Sequence, residues 1–414
     1  MVSIFAPSKI PHNMEKFSLL RYSDFRKYLG IRFFFTLAAQ MQTTVIGFYV
    51  YQLTHSKVAI AFIGLSEVVP ALGIALYGGW VADKCEKRMM LLILFTGVLL
   101  SSCILFLATG IGAGPHSLAI PILPLIYSML FCNGVARAFY EPALFSVHAQ
   151  SIPKEVAANA NNWSNLSWQS AAIIGPMAGG FLYGYASHLY PGISGIGAAF
   201  AGILVFLILS LIGVYRLPKI PPVLVENEKM RDSFFAGLRL VLKTRMMFYA
   251  MALDLFSVFF GGVTALLPVY AIDILGVGPE GLGLMRMSSS LGAALTMIAL
   301  VRFSPMNKPW RNLLVAVTGF ACSIIGFGLS HNFIVSLVFL FAQGAFDSVS
   351  VMIRGTILQL LTPEQMRGRI SAVNSMFIGS SAEIGDFESG MMANLLGTIP
   401  AVLFGGCIDR KSVV

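Results

Sequence analysis

The chain contains 414 residues, of which 57% are hydrophobic and 11% are charged. An ordinary soluble domain carries roughly a quarter charged residues, so this composition excludes a soluble globular protein and indicates a chain that lies in lipid. The net charge of +9 comes from Lys and Arg spread over many short segments. That distribution is typical of membrane topology and argues against a nucleic-acid-binding surface.

Apolar stretches long enough to cross a bilayer recur along the whole chain. A helix needs about 20 residues to span a hydrocarbon core of roughly 30 Å. Six stretches come first, at 28–53, 58–82, 89–111, 119–140, 163–187 and 196–215. Others follow at 247–275, 281–301, 313–329, 333–361 and 370–396, with an incomplete run from 399. Because lipid offers the backbone no hydrogen-bond partners, and no ten-residue alternation suggests strands, we predict an all-α integral membrane protein.

Two six-span halves, 1–215 and 247–414, are joined by a polar segment at 216–246. This linker contains three prolines and then "DSFFAGLRLVLKTR", in which apolar and basic residues alternate at helical spacing. The pattern predicts an amphipathic helix on the cytoplasmic leaflet, although a plain tether explains the composition equally well.

The positions of the basic residues predict the orientation of the chain. The N-terminal segment and alternate loops hold nearly all of them, whereas the opposite loops hold only Lys57. Since Lys and Arg in short loops stay on the cytoplasmic side, we expect both termini in the cytoplasm.

The final apolar run covers only about half a span and is followed by "DRKSVV". We therefore expect a truncated twelfth helix. We interpret residues 409–414 as a sequence artefact, because a string found in common sequencing adapters encodes them.

The two halves also resemble each other, as in transporters built from internal repeats. Glycines recur at two constant offsets: Gly134, Gly175 and Gly180 as Gly344, Gly385 and Gly390, and Gly64 and Gly73 as Gly283 and Gly292. The same alignment pairs Glu67 with Arg286 and Arg137 with Asp347, so the charges are inverted between the halves.

Ionisable residues inside apolar spans are candidates for a polar cavity. A charge at the bilayer centre costs at least about 2.5 kcal/mol on insertion scales, so it usually faces a partner or a wet space. The simpler alternative is that these residues pair and hold helices together. The charged candidates are Glu67, Arg137, Asp254, Arg286, Asp347, Arg354 and Glu383.

The fifth span contains "AAIIGPMAGG", with Gly175, Pro176, Gly179 and Gly180. Small residues let helices approach closely, and proline removes a backbone hydrogen bond. We predict a closely packed helix that can bend, with plain close packing as the alternative.

Two stretches carry a resemblance to the major facilitator superfamily. "GGWVADKCEKR" resembles the signature of that superfamily between its second and third helices, Gly-x-Leu-Ala-Asp-Arg-x-Gly-Arg-Arg, with Val81 in place of leucine and Glu86 in place of a turn glycine. "GPMAGG" resembles a fifth-helix motif associated with proton antiporters. Within the superfamily the chain is most similar to the bacterial branch of enterobactin exporters and drug efflux pumps.

The resemblance implies two pseudo-symmetric six-helix bundles whose first, fourth, seventh and tenth helices line a central cavity that opens alternately to each side. Those helices also contain Gln40 and Gln42, which are uncharged polar candidates beside the charged ones. The resemblance also implies that Asp83 lies near the start of the eleventh helix and closes a cytoplasmic gate, where a helix N-terminus attracts an anion. The alternative is that this loop only sets topology. The gating residues would be Gly79, Asp83, Lys84, Lys87, Arg88, Arg367 and Arg369.

These features predict a secondary transporter in the bacterial inner membrane, exporting small amphipathic molecules such as siderophores or drugs in exchange for protons, as a monomer. A carboxylate in a partly dry cavity can carry the proton, with Asp254 and Asp347 as first candidates and then Glu67 and Glu383. An importer or lipid carrier of the same fold is the alternative.

An intramembrane enzyme is the alternative from another class, with "SSAEIGDFESG" supplying Glu383, Asp386 and Glu388. No nucleotide-binding loop, zinc-protease motif or paired cysteine spacing occurs, so we expect no cofactor and no metal.

Overall fold

The computed structural model describes residues 18–110, 122–152, 156–189, 194–221, 239–244, 246–249, 251–252, 255, 263–303, 305–362 and 367–412. Within the helices, some side chains lie outside the described part, among them those of Asp83, Arg367, Arg369 and Glu383. The first half contains a 3₁₀ turn at Ser18–Arg21 and then α1 (Ser23–Thr54), α2 (Lys57–Lys84), α3 (Lys87–Gly110), α4 (Ile122–Gln150), α5 (Ala157–Leu189) and α6 (Gly195–Tyr215).

The second half repeats this series of helices. It contains α7 (Val263–Val269), continued by a π-helix at Tyr270–Ile274, then α8 (Gly278–Arg302), a 3₁₀ turn at Pro305–Asn307, α9 (Pro309–Leu329), α10 (Phe333–Leu361), α11 (Arg367–Leu396) and α12 (Thr398–Ser412). Residues 409–412 continue α12, and the interpretation of the tail as an artefact stays a prediction.

The helices begin and end at residues whose chemistry favours a boundary. Ser56, Ser194 and Asn332 accept hydrogen bonds from backbone amides at the starts of α2, α6 and α10, as N-cap side chains do. His55 adopts a left-handed conformation with φ 46°, which ends α1 and lets α2 begin two residues later.

Eight of the described helices, α1–α4, α6 and α8–α10, are long and apolar enough to cross a membrane. The sequence predicts eleven full spans. α5 and α11 match the eight in length, with 33 and 30 residues, but are richer in Asn, Ser and Gln. The seventh predicted span, 247–275, lies largely outside the described residues.

Equivalent helix pairs pack in the same way in the two halves. α4 lies against α2 at Gly134, where a β-carbon would overlap the carbonyl oxygen of Glu67. α10 lies against α8 at Gly344, where a β-carbon would overlap the carbonyl oxygen of Ser289. Gly134 and Gly344 therefore mark equivalent backbone contacts, and the predicted fold of two pseudo-symmetric bundles is confirmed.

The halves meet through a second pair of equivalent contacts. A β-carbon on Gly180 of α5 would overlap the carbonyl oxygen of Pro279 and lie 3.1 Å from the Cα of Gly283, both on α8. A β-carbon on Gly390 of α11 would lie 2.6 Å from the Cβ of Ala61 on α2. Both contacts are near the end of the molecule where α1 ends and α2 begins, which we call the distal end.

The predicted amphipathic helix of the linker lies mostly outside the described residues. Within the described part, Val241 is buried in a cluster with Leu358 on α10 and Ile370 on α11. This piece of the linker therefore packs on the second half.

Candidate transport site

A cavity of about 190 Å³ lies between helices of the two halves. α1 and α5 contribute to it from the first half, and α7, α8 and α10 from the second. Its lining combines polar and apolar side chains: Gln40, Thr264, Arg286, Ser289, Ser290 and Gln343 with Pro176, Val263, Leu267 and Leu340. Two predicted cavity residues, Gln40 and Arg286, are among them, together with Pro176 of the predicted fifth-helix motif.

The remaining polar lining was not predicted from the sequence. The Ser289 hydroxyl donates to Oε1 of Gln343 at 3.0 Å, which joins α8 to α10. Nε2 of Gln169 on α5 donates to the carbonyl oxygen of Ser290 at 2.8 Å, which joins the two halves. These hydrogen bonds fix the polar wall of the cavity from three helices.

Arg286 on α8 is the charged residue among the described lining residues of the cavity. Its Nε is buried and has no hydrogen-bond partner among the described residues. The carboxylate of Asp386 on α11 lies close enough to interact with it electrostatically. A β-carbon placed on Gly47 would lie 4.0 Å from Nη2, so α1 passes close to the guanidinium.

A second charged group lies between α2 and α4. Nη1 of Arg137 is 3.5 Å from Oε1 of Glu67, and its Nε donates to Oε1 of Glu141 at 3.0 Å. The Glu67 side chain is 31% exposed, whereas the Glu141 side chain is 59% exposed. Two carboxylates thus share one guanidinium.

Other predicted cavity residues lie elsewhere or outside the described part. Gln42 is buried against α3, where the Ser102 hydroxyl donates to its Oε1 at 3.0 Å, and it is not among the described lining residues. Asp347 and Arg354 are on α10, and Arg354 is buried. Asp254 and the side chain of Glu383 are outside the described residues.

The glycines of the fifth-helix motif bring α5 close to α1. A β-carbon on Gly175 would lie 2.7 Å from the Cβ of Gln40, and one on Gly179 would lie 3.2 Å from the Cα of Met41. Gly180, on another side of the helix, contacts α8. This geometry shows close packing at the edge of the cavity, and bending at Pro176 stays a prediction.

The charged loop between α2 and α3 is held mainly by contacts within the first half. Lys87 is fully buried and donates to the carbonyl oxygens of Ala82 and Cys85, the latter at 3.1 Å. It thereby satisfies carbonyl groups at the C-terminal end of α2, where a cation is favoured. Gly79, also on α2, is half-buried. The side chains of Asp83, Arg367 and Arg369 lie outside the described residues.

Two further cations of this loop lie over aromatic rings. Nζ of Lys84 is 3.9 Å from the ring centroid of Trp80. The guanidinium carbon of Arg88 is 5.3 Å from the ring centroid of Tyr215. Attraction to the ring faces holds both side chains at the surface of the first half.

Glu86 has a structural role that the sequence did not predict. Its carboxylate accepts from the amides of Arg88 and Met89 at 3.0 and 2.9 Å, which caps α3. It also accepts from the amide of Ile220 at 3.1 Å, which anchors the start of the linker. An acidic residue directly before a helix is a recognisable N-cap pattern.

Removing the buried cation of this loop should destabilise the first half. We expect Lys87→Met to lower the free energy of unfolding by about 1–3 kcal/mol, because the buried carbonyl group of Ala82 and the partly buried one of Cys85 lose this donor. The matched change Lys84→Met should cost less than about 1 kcal/mol, because it removes only an exposed cation–π contact. Thermal unfolding of the two purified variants measures the difference, and equal stability would contradict this role of Lys87.

Several contacts close the distal end between the halves. The Tyr51 hydroxyl donates to Oδ2 of Asp273. Nζ of Lys57 donates to the carbonyl oxygen of Ala393 at 3.1 Å, near the C-terminus of α11. The rings of Phe62 and Phe387 are 5.7 Å apart. Two pseudo-symmetric helical bundles that contact each other at one end, with a cavity between them, are the architecture of a membrane transporter.

Comparison with known proteins agrees with this class. Residues 28–385 match the Major Facilitator Superfamily, and the chain belongs to this family. It is 25% identical over 367 residues to the enterobactin exporter EntS of Escherichia coli O1:K1 / APEC, covering 86% of this chain and 82% of that protein. The EntS protein of Citrobacter koseri is also 25% identical, over 369 residues, with the same coverage.

Solved structures show the same fold. The D-xylose-proton symporter aligns with a TM-score of 0.71 at 15% identity, covering 96% of this chain and 97% of that one. The nucleoside transporter NupG aligns with a TM-score of 0.69 at 13% identity, covering 94% and 97%. The predicted family and fold are confirmed: the protein is a multi-pass membrane transporter of small molecules rather than an enzyme.

Proposed function

We propose that the protein exports small amphipathic molecules, siderophore-like or drug-like, in exchange for protons by alternating access. The observation that carries this proposal is the cavity between the halves, with polar and apolar walls, beneath a closed distal end. The export direction and the siderophore-like substrate are supported by the similarity to proteins named enterobactin exporters.

The orientation follows from the positive-inside rule. With both termini in the cytoplasm, the distal end faces the periplasm. The contacts of Tyr51 with Asp273 and of Lys57 with Ala393 then form the periplasmic gate. On the other side, Asp83 with Arg367 and Arg369 is our proposal for the cytoplasmic gate. The protein acts as a monomer, since each chain contains both halves of its own cavity.

Glu67 is our leading candidate for the proton-carrying group. Its carboxylate is the less exposed of the two that share Arg137, and Arg137 also contacts Glu141, so the guanidinium keeps a second partner if Glu67 moves away. Burial favours the neutral form of a carboxylate and a nearby cation favours the charged form, so movement of α2 relative to α4 can change its protonation. Asp254, Asp347 and Glu383 stay candidates on sequence grounds.

Transport into sealed proteoliposomes with an imposed pH gradient tests this function. A panel of siderophores, dyes and drugs should contain a compound that accumulates on the acidic side, and a protonophore should abolish its accumulation. Equilibration without accumulation would indicate a facilitator, and accumulation on the alkaline side would indicate a symporter. Either result would contradict proton-coupled export.

A further inference from the structure

We propose that the central cavity selects organic anions, with Arg286 binding the negatively charged group of the substrate. This inference rests on the proposed transport function and specifies the substrate class of the same cavity. The substrate would combine a carboxylate or similar acidic group with an apolar body.

The charge of the lining is the first argument. Among the ten described lining residues, Arg286 is the only charged one, and none carries a carboxylate. The carboxylate that interacts with Arg286, Asp386, is not part of this lining. A substrate in the cavity therefore meets the Arg286 cation and, among the described lining residues, no carboxylate. In surroundings of low dielectric constant, that arrangement favours a negative group over a positive one.

The hydrogen-bonding capacity of Arg286 is the second argument. A guanidinium has five N–H donors, and a bidentate contact with a carboxylate occupies two of them. Nε of Arg286 is buried with no partner among the described residues. Because this Nε is enclosed by protein, a carboxylate in the cavity would accept from the two Nη groups, which carry four of the five donors.

The neighbouring side chains complete a site for an amphipathic anion. Because the Ser289 hydroxyl donates to Oε1 of Gln343, the amide nitrogen of Gln343 is the end available to donate to a ligand. Gln40 adds a second amide from the opposite half. Val263, Leu267 and Leu340 supply an apolar wall for the body of the substrate.

The repeat adds an asymmetry between the halves. Arg286 occupies the position that aligns with Glu67 in the first half, so equivalent helices present opposite charges. The first half then carries the proton at Glu67, and the second half carries the substrate anion at Arg286. A proton and an anionic substrate would therefore bind at separate places and need not compete for one side chain.

Equilibrium binding to the full chain in nanodiscs tests this inference with three fluorescent probes of similar shape: dansylglycine, its neutral amide and dansylethylenediamine. We expect the carboxylate to bind at least ten times more tightly than the amine. Arg286→Gln should weaken carboxylate binding at least tenfold and change binding of the amide less than twofold. Arg286→Lys should restore part of the carboxylate affinity.

Arg302→Gln is the control, because it removes an exposed arginine from the C-terminal end of the same helix. If the Arg286→Gln variant does not fold, the double variant Arg286→Gln/Asp386→Asn is measured in its place. The double variant removes both charges, so no unpaired carboxylate remains. Three results would overturn the anion site. The three probes could bind with equal affinity, the amine could bind most tightly, or Arg286→Gln could leave carboxylate binding unchanged. Proton-driven transport of neutral or cationic compounds alone would leave the export function standing and still reject the anion site.

Discussion

Replacing Gly180 with valine is expected to reduce transport to less than a tenth of the normal rate while the protein still inserts and folds. The β-carbon would overlap the backbone oxygen of Pro279 and crowd Gly283. Backbone atoms of a packed helix cannot move aside as a flexible side chain can, so α5 and α8 must separate. Because this contact joins the two halves, each bundle keeps its own core and only closure of the distal end is lost.

The matched control for this prediction is Gly73→Val on α2. A β-carbon on Gly73 would have no atom within 4 Å, so the same substitution in another long helix should leave at least half of the transport rate. Both rates are measured in proteoliposomes, after size-exclusion chromatography has shown a folded protein. Normal transport by the Gly180 variant would show that close approach of α5 and α8 is not part of the cycle.

Replacing Glu67 with glutamine is expected to uncouple substrate movement from the proton gradient. The amide keeps the shape of the side chain and can still contact Arg137, but it can neither bind nor release a proton. Exchange of substrate between the two sides of the membrane should stay within about threefold of normal, as expected when only the energy coupling is removed. Accumulation against a gradient should fall at least tenfold.

Glu141→Gln serves as the comparison, because it removes the other carboxylate bound to Arg137. That side chain is largely exposed, so its removal should leave accumulation within about twofold of normal, in keeping with the small effect of exposed ion pairs. If Glu67→Gln accumulates substrate normally, the proton is carried by another group, and Asp347→Asn is the next variant to measure.

The fold could be predicted from the sequence because lipid leaves few alternatives. Long apolar stretches in this solvent must be helices, and the repeated glycines indicated which helices correspond. Gly134 and Gly344 show why this worked: both are glycine because a neighbouring backbone passes too close for a β-carbon. α5 and α11 are less clear, since each combines an apolar stretch with several Asn, Ser or Gln residues, and neither is among the eight helices apolar enough to cross a membrane.

The lining of the cavity could be predicted only in part. Which residues of a helix face the cavity depends on how the helix is rotated about its axis. Gln40 and Gln42 are two residues apart, which places them about 200° apart around α1. One lines the cavity and the other bonds to Ser102 on α3. Ser289, Ser290 and Gln343 are ordinary polar residues in the sequence, and only their convergence from α8 and α10 shows their place in the wall.

The charged loop shows a different limitation. Its cations suggested a gate and a topology signal, and the described side chains show the contacts that hold the loop together. Lys87 binds carbonyl groups at the end of α2, and Glu86 caps α3 and holds Ile220. A motif indicates that a loop is constrained, but the partners of each charge depend on the packing of residues distant in sequence.

Cross-linking of the distal end tests alternating access most directly. Lys57→Cys and Ala393→Cys would be combined in a chain whose five native cysteines are replaced with serine, since these two positions meet between α2 and α11. A short cleavable thiol cross-linker should stop transport when it links the pair, and reduction should restore it, because the distal end must open in every cycle. Undiminished transport by fully cross-linked protein would contradict alternating access through this cavity.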